Sequence, residues 1–223
     1  MVAPNLCVLA DAPVPGACLP GVVPYFGEPN AAKLYAAMLR DTLDGFLAAG
    51  FDRFVVAARA GDLDALSRHV HAPWELAAAP EGALGVARAL GIPGLDEAPL
   101  FVARAEVPTA PMDRLAEAVA EVAGGGIAVG ATGEAGAWVV GLPAGDPGWP
   151  EVAWPTAGAT LRARPRPPVE LGEAYDVTSL EAVDRLFAEL RAHPERGPRC
   201  ADFFVKLDWG AGPSAQTGRG RRR

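Results

Sequence analysis

The run Leu6-Cys7-Val8-Leu9-Ala10 is an apolar strand that stops at Asp11 and turns through Ala12, Pro13, Val14, Pro15 and Gly16. Two prolines and a glycine fix the backbone of that turn. At the carboxyl end of the first strand of an α/β sheet, such a loop is where the fold seats a ligand. Residues 17–24 then carry no charge at all. A loop shaped for a phosphate-bearing ligand is thus bare of cations. Gly82 and Gly85 offer a second candidate contact, because a glycine-bearing turn ahead of a helix lets an anion approach backbone N–H groups. A plain strand-to-helix turn accounts for them equally well.

Other reactive residue types are poorly arranged for chemistry. Ser67, Ser179 and Ser214 lie outside any G-x-S-x-G, which excludes a nucleophile elbow. Asp11 as a phosphate-accepting nucleophile would need a second Asp two residues on, where Pro13 stands. His69 and His71 fall where a helix ends and read as a surface pair. Cys18 has no neighbouring cation to activate it and reads as an inert small residue. Trp138 and Trp154 read as core packing ahead of base or sugar stacking. Arg162, Arg164 and Arg166 form the densest cationic run inside the domain. They compensate for the bare loop only if segment 157–168 folds over the site; a solvated loop explains them too.

Composition narrows the class. A chain of 223 residues with net charge −7 is long enough for one full core and lacks the basic face a nucleic-acid binder needs. Three cysteines without a C-x-x-C pair make neither a disulfide framework nor a zinc site. No run reaches the length of a membrane span and no basic segment precedes the first apolar run, so a cytoplasmic location is expected.

The elements that must position the loop follow from periodicity. Apolar runs predict strands at 5–10, 54–58, 74–79, 99–103, 127–130 and 137–142, and a last one ending near Asp176. Spacings of three and four through Leu34, Tyr35, Met38, Leu39, Leu43, Phe46 and Leu47 predict a helix opened at Glu28-Pro29-Asn30 and stopped at Gly50. Further helices are expected after Asp62 as cap, over 111–123, and from the Ser179 cap to about Ala192. Residues 143–172 read as largely irregular. Strands alternating with helices give a three-layer α/β/α sandwich with a mostly parallel sheet. One domain, 1–209, is expected, with a disordered Arg-rich tail at 210–223.

Residues 12–16, then Pro24, Gly27, Ala31-Ala32, Leu34-Tyr35, Leu39 and Asp41-Thr42-Leu43, resemble without a gap the opening of a bacterial group of GT-A-like transferases. These carry a domain of once-unknown function (DUF2064). They are usually labelled glycosyltransferases, sometimes arsenosugar-associated, and are related to 2-phospholactate guanylyltransferases. The pattern resembled is roughly A-K-A-P-V-P-G-R-V-K-T-R-L-x-P. Later landmarks are looser. Residues 82–85 resemble G-D-L-G, and Arg104-Ala105-Glu106-Val107-Pro108 falls on G-T-D-C-P. Residues 133–138 stand for E-D-G-G-Y-W, and residues 176–181 stand for D-V-D-T-P-E.

The resemblance implies a GT-A (nucleotide-diphospho-sugar transferase) fold. It implies a nucleotide or nucleotide-sugar held by Ala12, Pro13, Val14, Pro15, Gly16, Gly82 and Gly85. It also implies a divalent cation, Mg²⁺ or Mn²⁺, on Glu106, Glu134 and Asp176, hard oxygen ligands from three strand ends. No nucleic acid or membrane partner is implied, and no catalytic residue is assigned. The departures are systematic: Asp11, Ala17, Leu19 and Gly21 stand where the pattern has Lys, Arg, Lys and Arg. Ala83 replaces an Asp, Glu106 an Asp and Thr178 an Asp. Two function classes stay open: a nucleotide-sugar-dependent or nucleotidyl transferase, and a degenerate transferase kept as a binding or regulatory module.

Overall fold

The computed structural model describes residues 2–83, 85–149 and 152–209. Seven strands are β1 (Asn5–Leu9), β2 (Arg53–Ala58), β3 (Glu75–Ala78), β4 (Leu100–Arg104), β5 (Ala128–Thr132), β6 (Gly136–Leu142) and β7 (Val169–Ala174). They form one sheet in the order β3-β2-β1-β4-β6-β5-β7. Only β6 runs against its neighbours β4 and β5. The helices are α1 (Val23–Phe26), α2 (Glu28–Phe46), α3 (Leu63–Leu66), α4 (Ala87–Leu90), α5 (Leu115–Ala123), α6 (Ala157–Arg162), α7 (Leu180–Ala192) and α8 (Pro198–Leu207). The expected three-layer α/β/α sandwich with a mostly parallel sheet is the fold observed. The tail, 210–223, lies outside the described residues.

Strand alternation builds both layers. In β1, Leu6 and Val8 face α2, α5, α7 and α8, while Cys7 and Leu9 face α4, α6 and the loops around Ile92 and Leu95. A strand covered on both sides must be apolar throughout, and all of β1 is buried. The larger core holds Tyr35, Met38, Phe46 and Trp138; the thinner one holds Val55, Val102, Val140 and Leu161. Trp138 packs flat against Gly130, where a Cβ would fall 2.2 Å from the indole.

The irregular stretch expected at 143–172 contains α6 as well as β7. Ser179 caps α7 as expected, accepting the Ala182 N–H at 3.2 Å. Asp62 does not cap α3; its carboxylate accepts from Arg59 instead. Helix α8, for which the sequence shows no local cap, is started by a residue of α2. The buried Asp41 accepts the N–H groups of Arg199 (3.1 Å) and Cys200 (2.9 Å), and the Arg199 guanidinium also bonds it at 3.4 Å.

Two expectations follow, each checked by urea unfolding. Gly130→Ala forces the Trp138 ring aside and costs about 2–3 kcal/mol. Asp41→Ala orphans the first turn of α8 and costs about 2 kcal/mol.

Candidate functional site

Register fixes what stands at the carboxyl edge. Leu9 is level with Ala57 of β2 and with Arg104 of β4. Alternation along β4 sends Phe101 and Ala103 to the larger core and Leu100 and Val102 to the thinner one. Arg104 therefore continues the thin-layer row just where the sheet meets solvent. The crevice there has a volume of about 170 Å³, lined by Leu9, Ala10, Asp11, Gly85, Arg88, Arg104, Glu106 and Trp154. Arg88, from α4, also borders a larger and mostly apolar hollow of about 550 Å³ formed by Arg59, Ala60, Ala79, Pro80, Glu81, Gly82 and Ala83.

Charge inside the crevice is closely paired. Arg104 Nη1 donates to Asp176 Oδ2 at 2.5 Å, and its Nε lies 3.7 Å from Glu106. The Val177 N–H donates to the Glu106 carbonyl at 2.9 Å, so the segment after β7 is tied to the segment after β4. Arg88 donates to the Ala10 and Ala57 carbonyls at 2.9 and 3.4 Å, and lies 3.9 Å from Asp11. Burial pushes the Glu106 carboxyl above the usual carboxylate range despite Arg104, with Asp11 and Asp176 adding to the rise. Asp176 is raised too, again chiefly by burial and against the pull of Arg104.

Sequence-predicted residues are distributed unevenly around this centre. Glu106 and Asp176 come together on Arg104. Glu134 does not join them; it is exposed on the turn between β5 and β6, where its carbonyl accepts from Arg162. Among the described residues no three His, Cys, Asp or Glu side chains are grouped to hold a metal ion. The two remaining carboxylates do not suit a divalent cation either. Asp176 Oδ2 is held by the Arg104 guanidinium, which also lies against Glu106, and Asp176 Oδ1 is buried without a hydrogen-bond partner.

The expected nucleotide contacts are also revised in position. The crevice begins at Asp11, one residue before the Ala12-Pro13-Val14-Pro15-Gly16 turn, and none of those five lines it. Tyr35 holds the turn's entry, its hydroxyl accepting the Asp11 N–H at 2.7 Å. Gly85 lines the crevice and Gly82 the neighbouring hollow. Helix α4 is a single turn, and the charged group it brings to the crevice is the Arg88 side chain.

Of the positions where the resembled pattern carries cations, Asp11 lines the crevice, whereas Leu19 and Gly21 pack elsewhere. Leu19 is 4% exposed and packs in the larger core. Gly21 lies against the main chain of Thr178, where a Cβ would be 2.5 Å from the carbonyl oxygen. Cys18 is buried; its thiol donates to the Val14 carbonyl and is pushed up to about 11, first by burial and then by Asp11 and Glu106. That agrees with an inert residue.

Arg162, Arg164 and Arg166 do not serve the crevice. They pair with Glu170, Asp146 and Glu121 respectively. Trp138 is core, whereas Trp154 rims the crevice beside Gly85. The sequence alone assigns no role to Arg88, and Arg104 enters it only as the first residue of the segment that falls on G-T-D-C-P. The one available signal was Arg104 standing where the resembled pattern has a small glycine.

The raised Glu106 carboxyl has a definite consequence. A carboxyl whose folded-state value is raised stabilises the fold below its ordinary pKa and loses that contribution as pH climbs through the higher value. Glu106→Gln removes the charge that must be buried and leaves the Arg104–Asp176 pair in place. Its unfolding midpoint in urea should therefore gain on the wild type as pH rises from about 4 to about 7. A gap that is constant over that range contradicts the reading.

No protein-family model matches the chain. No curated protein matches it either. Solved structures do. A candidate nucleotide-diphospho-sugar transferase from Desulfovibrio desulfuricans G20 superposes with a TM-score of 0.76 at 17% identity, covering 93% of this chain and 96% of that one. Rv0371c from Mycobacterium tuberculosis H37Rv, in its complex with manganese, gives 0.53 at 17% identity over 83% of this chain and 98% of that one. The 4-diphosphocytidyl-2C-methyl-D-erythritol synthase of Anaerococcus prevotii DSM 20548 gives 0.58 at 9% identity over 85% and 96%. Likeness at these identities is one of architecture: the chain has the fold of nucleotide-diphospho-sugar transferases.

Proposed function

We propose that this chain is a transferase of the DUF2064 type that holds a nucleotide-activated donor in the crevice over β1 and β4. One observation carries the reading. The positive charge missing from the opening loop reappears as Arg88 and Arg104, which reach the same crevice from α4 and β4. Guanidinium groups grip phosphate oxygens through paired N–H donors, and each such contact contributes about 1.5–3 kcal/mol. Trp154 then offers its face to a base or sugar. The apolar hollow on the far side of Arg88 has room for the rest of the nucleotide.

Glycosyl transfer from a nucleotide-sugar is the first form of this activity. Nucleotidyl transfer is the second, and the fold likeness to a diphosphocytidyl-methylerythritol synthase favours keeping it in view. The domain would comprise residues 1–209, with the segment 210–223 outside it. Among the described residues no helix is long and apolar enough to cross a membrane. We place the activity in the cytoplasm, where the three buried, unpaired cysteines would stay reduced.

A degenerate transferase retained as a binding module is the competing class. Its support is the charge balance: Asp11, Glu106 and Asp176 face only two guanidiniums.

Calorimetric titration of UDP, GDP, CDP and their sugars separates the two. The transferase reading expects one nucleotide series to bind with Kd below about 100 μM, and Arg88→Ala to weaken it by about 10-fold or more in protein that circular dichroism shows to be folded at the temperature of the titration. Silence across the panel, or an Arg88→Ala affinity equal to the wild type, overturns it.

A further inference from the structure

The family resemblance implies a divalent ion held by carboxylates that follow β4 and β7, where it would supply positive charge to the phosphates of a ligand. Those carboxylates are Glu106 and Asp176, and the space between them is taken. Arg104 donates to Asp176 at 2.5 Å and approaches Glu106 at 3.7 Å. It reaches them from the β4 position level with Leu9, where the resembled pattern has glycine and therefore no side chain at all. We propose that Arg104 is the resident cation of the crevice, standing permanently where a divalent ion would be recruited, so that this site engages phosphate without metal.

Three features support the assignment independently of any ligand. First, the guanidinium is itself mostly buried, with 23% of its side chain exposed, so it is a built part of the site and not a surface charge resting there. Second, a dication placed on Asp176 would meet a fixed like charge a few ångströms away, in surroundings that screen it poorly. Third, the third ligand such an ion would want is missing, since Glu134 stays on its exposed turn. Of the Arg104 nitrogens, Nη1 points at Asp176 and Nε at Glu106. A guanidinium carries five N–H donors in a planar fork. Neither of those two contacts uses Nη2, whose two N–H donors remain for a phosphate oxygen. The ligand class implied is a phosphate or diphosphate ester. The inference rests on the transferase reading for that ligand only; the exclusion of the ion stands on the geometry.

The test uses the full chain and manganese alone, read by the electron paramagnetic resonance signal of free Mn²⁺. Wild-type protein should leave the signal undiminished up to about 1 mM, whereas Arg104→Gly should bind one equivalent at least about 10-fold more tightly. Adding Asp176→Asn to Arg104→Gly should abolish the gain. Circular dichroism confirms that each variant is folded. Saturable binding by the wild type that Asp176→Asn removes overturns the proposal, as does a folded Arg104→Gly that binds no manganese.

A second arm titrates the nucleoside diphosphates in excess EDTA and in Mn²⁺. Affinities within about 2-fold of each other support metal-free binding, and a requirement for Mn²⁺ overturns it. A protein that shows the expected manganese behaviour and binds no nucleotide in either buffer upholds the assignment of Arg104. It would overturn the transferase reading alone.

Discussion

The contact between Arg104 and Asp176 joins two parts of the sheet that β5 and β6 hold apart. One partner ends β4 and the other follows β7, and the backbone bond from Val177 to Glu106 runs beside it. Two half-buried carboxylates at a strand edge are costly to keep ionised. With a guanidinium between them, the pair becomes a tolerable part of the fold, and the segment leading into α7 gains a fixed position. The start of α7 is thereby tied to the end of β4 by a side-chain bond and a backbone bond.

Positive charge at the crevice comes from β4 and α4, while the opening loop carries none. A cation on an opening loop can swing, and its grip on a ligand carries an ordering cost. Arg88 and Arg104 are instead held by carbonyls and carboxylates before any ligand arrives. Their contribution is smaller in number than the pattern's loop cations but is already oriented. The three nearby carboxylates, Asp11, Glu106 and Asp176, partly offset that positive charge.

Much of this was legible in the residues. Unbroken apolar runs such as Leu6 to Ala10 and Val139 to Leu142 located strands that are covered on both faces, and their alternation with helical stripes gave the layers. Where the determinant is distant in sequence, reading failed. Helix α8 begins on Asp41, a carboxylate delivered by α2, so nothing local announces it. Ser179, which caps its own helix, was found at once. Of the three carboxylates expected around a metal, Glu106 and Asp176 converge on Arg104, while Glu134 lies on a hairpin tip that the sheet carries away from them. Arg104 escaped notice because an arginine closing an apolar strand shows its purpose only when its partner across the sheet is known.

Leu19 and Gly21 limit what the opening loop can carry. Leu19 fills part of the main core, and Gly21 lies in van der Waals contact with the Thr178 backbone. A long basic side chain at the first would have to be buried without a counter-ion, and at the second would have to lift the start of α7. A cation in this loop would therefore cost the fold its core packing or the seat of α7, and positive charge at the crevice has to be delivered by other elements, as Arg88 and Arg104 deliver it.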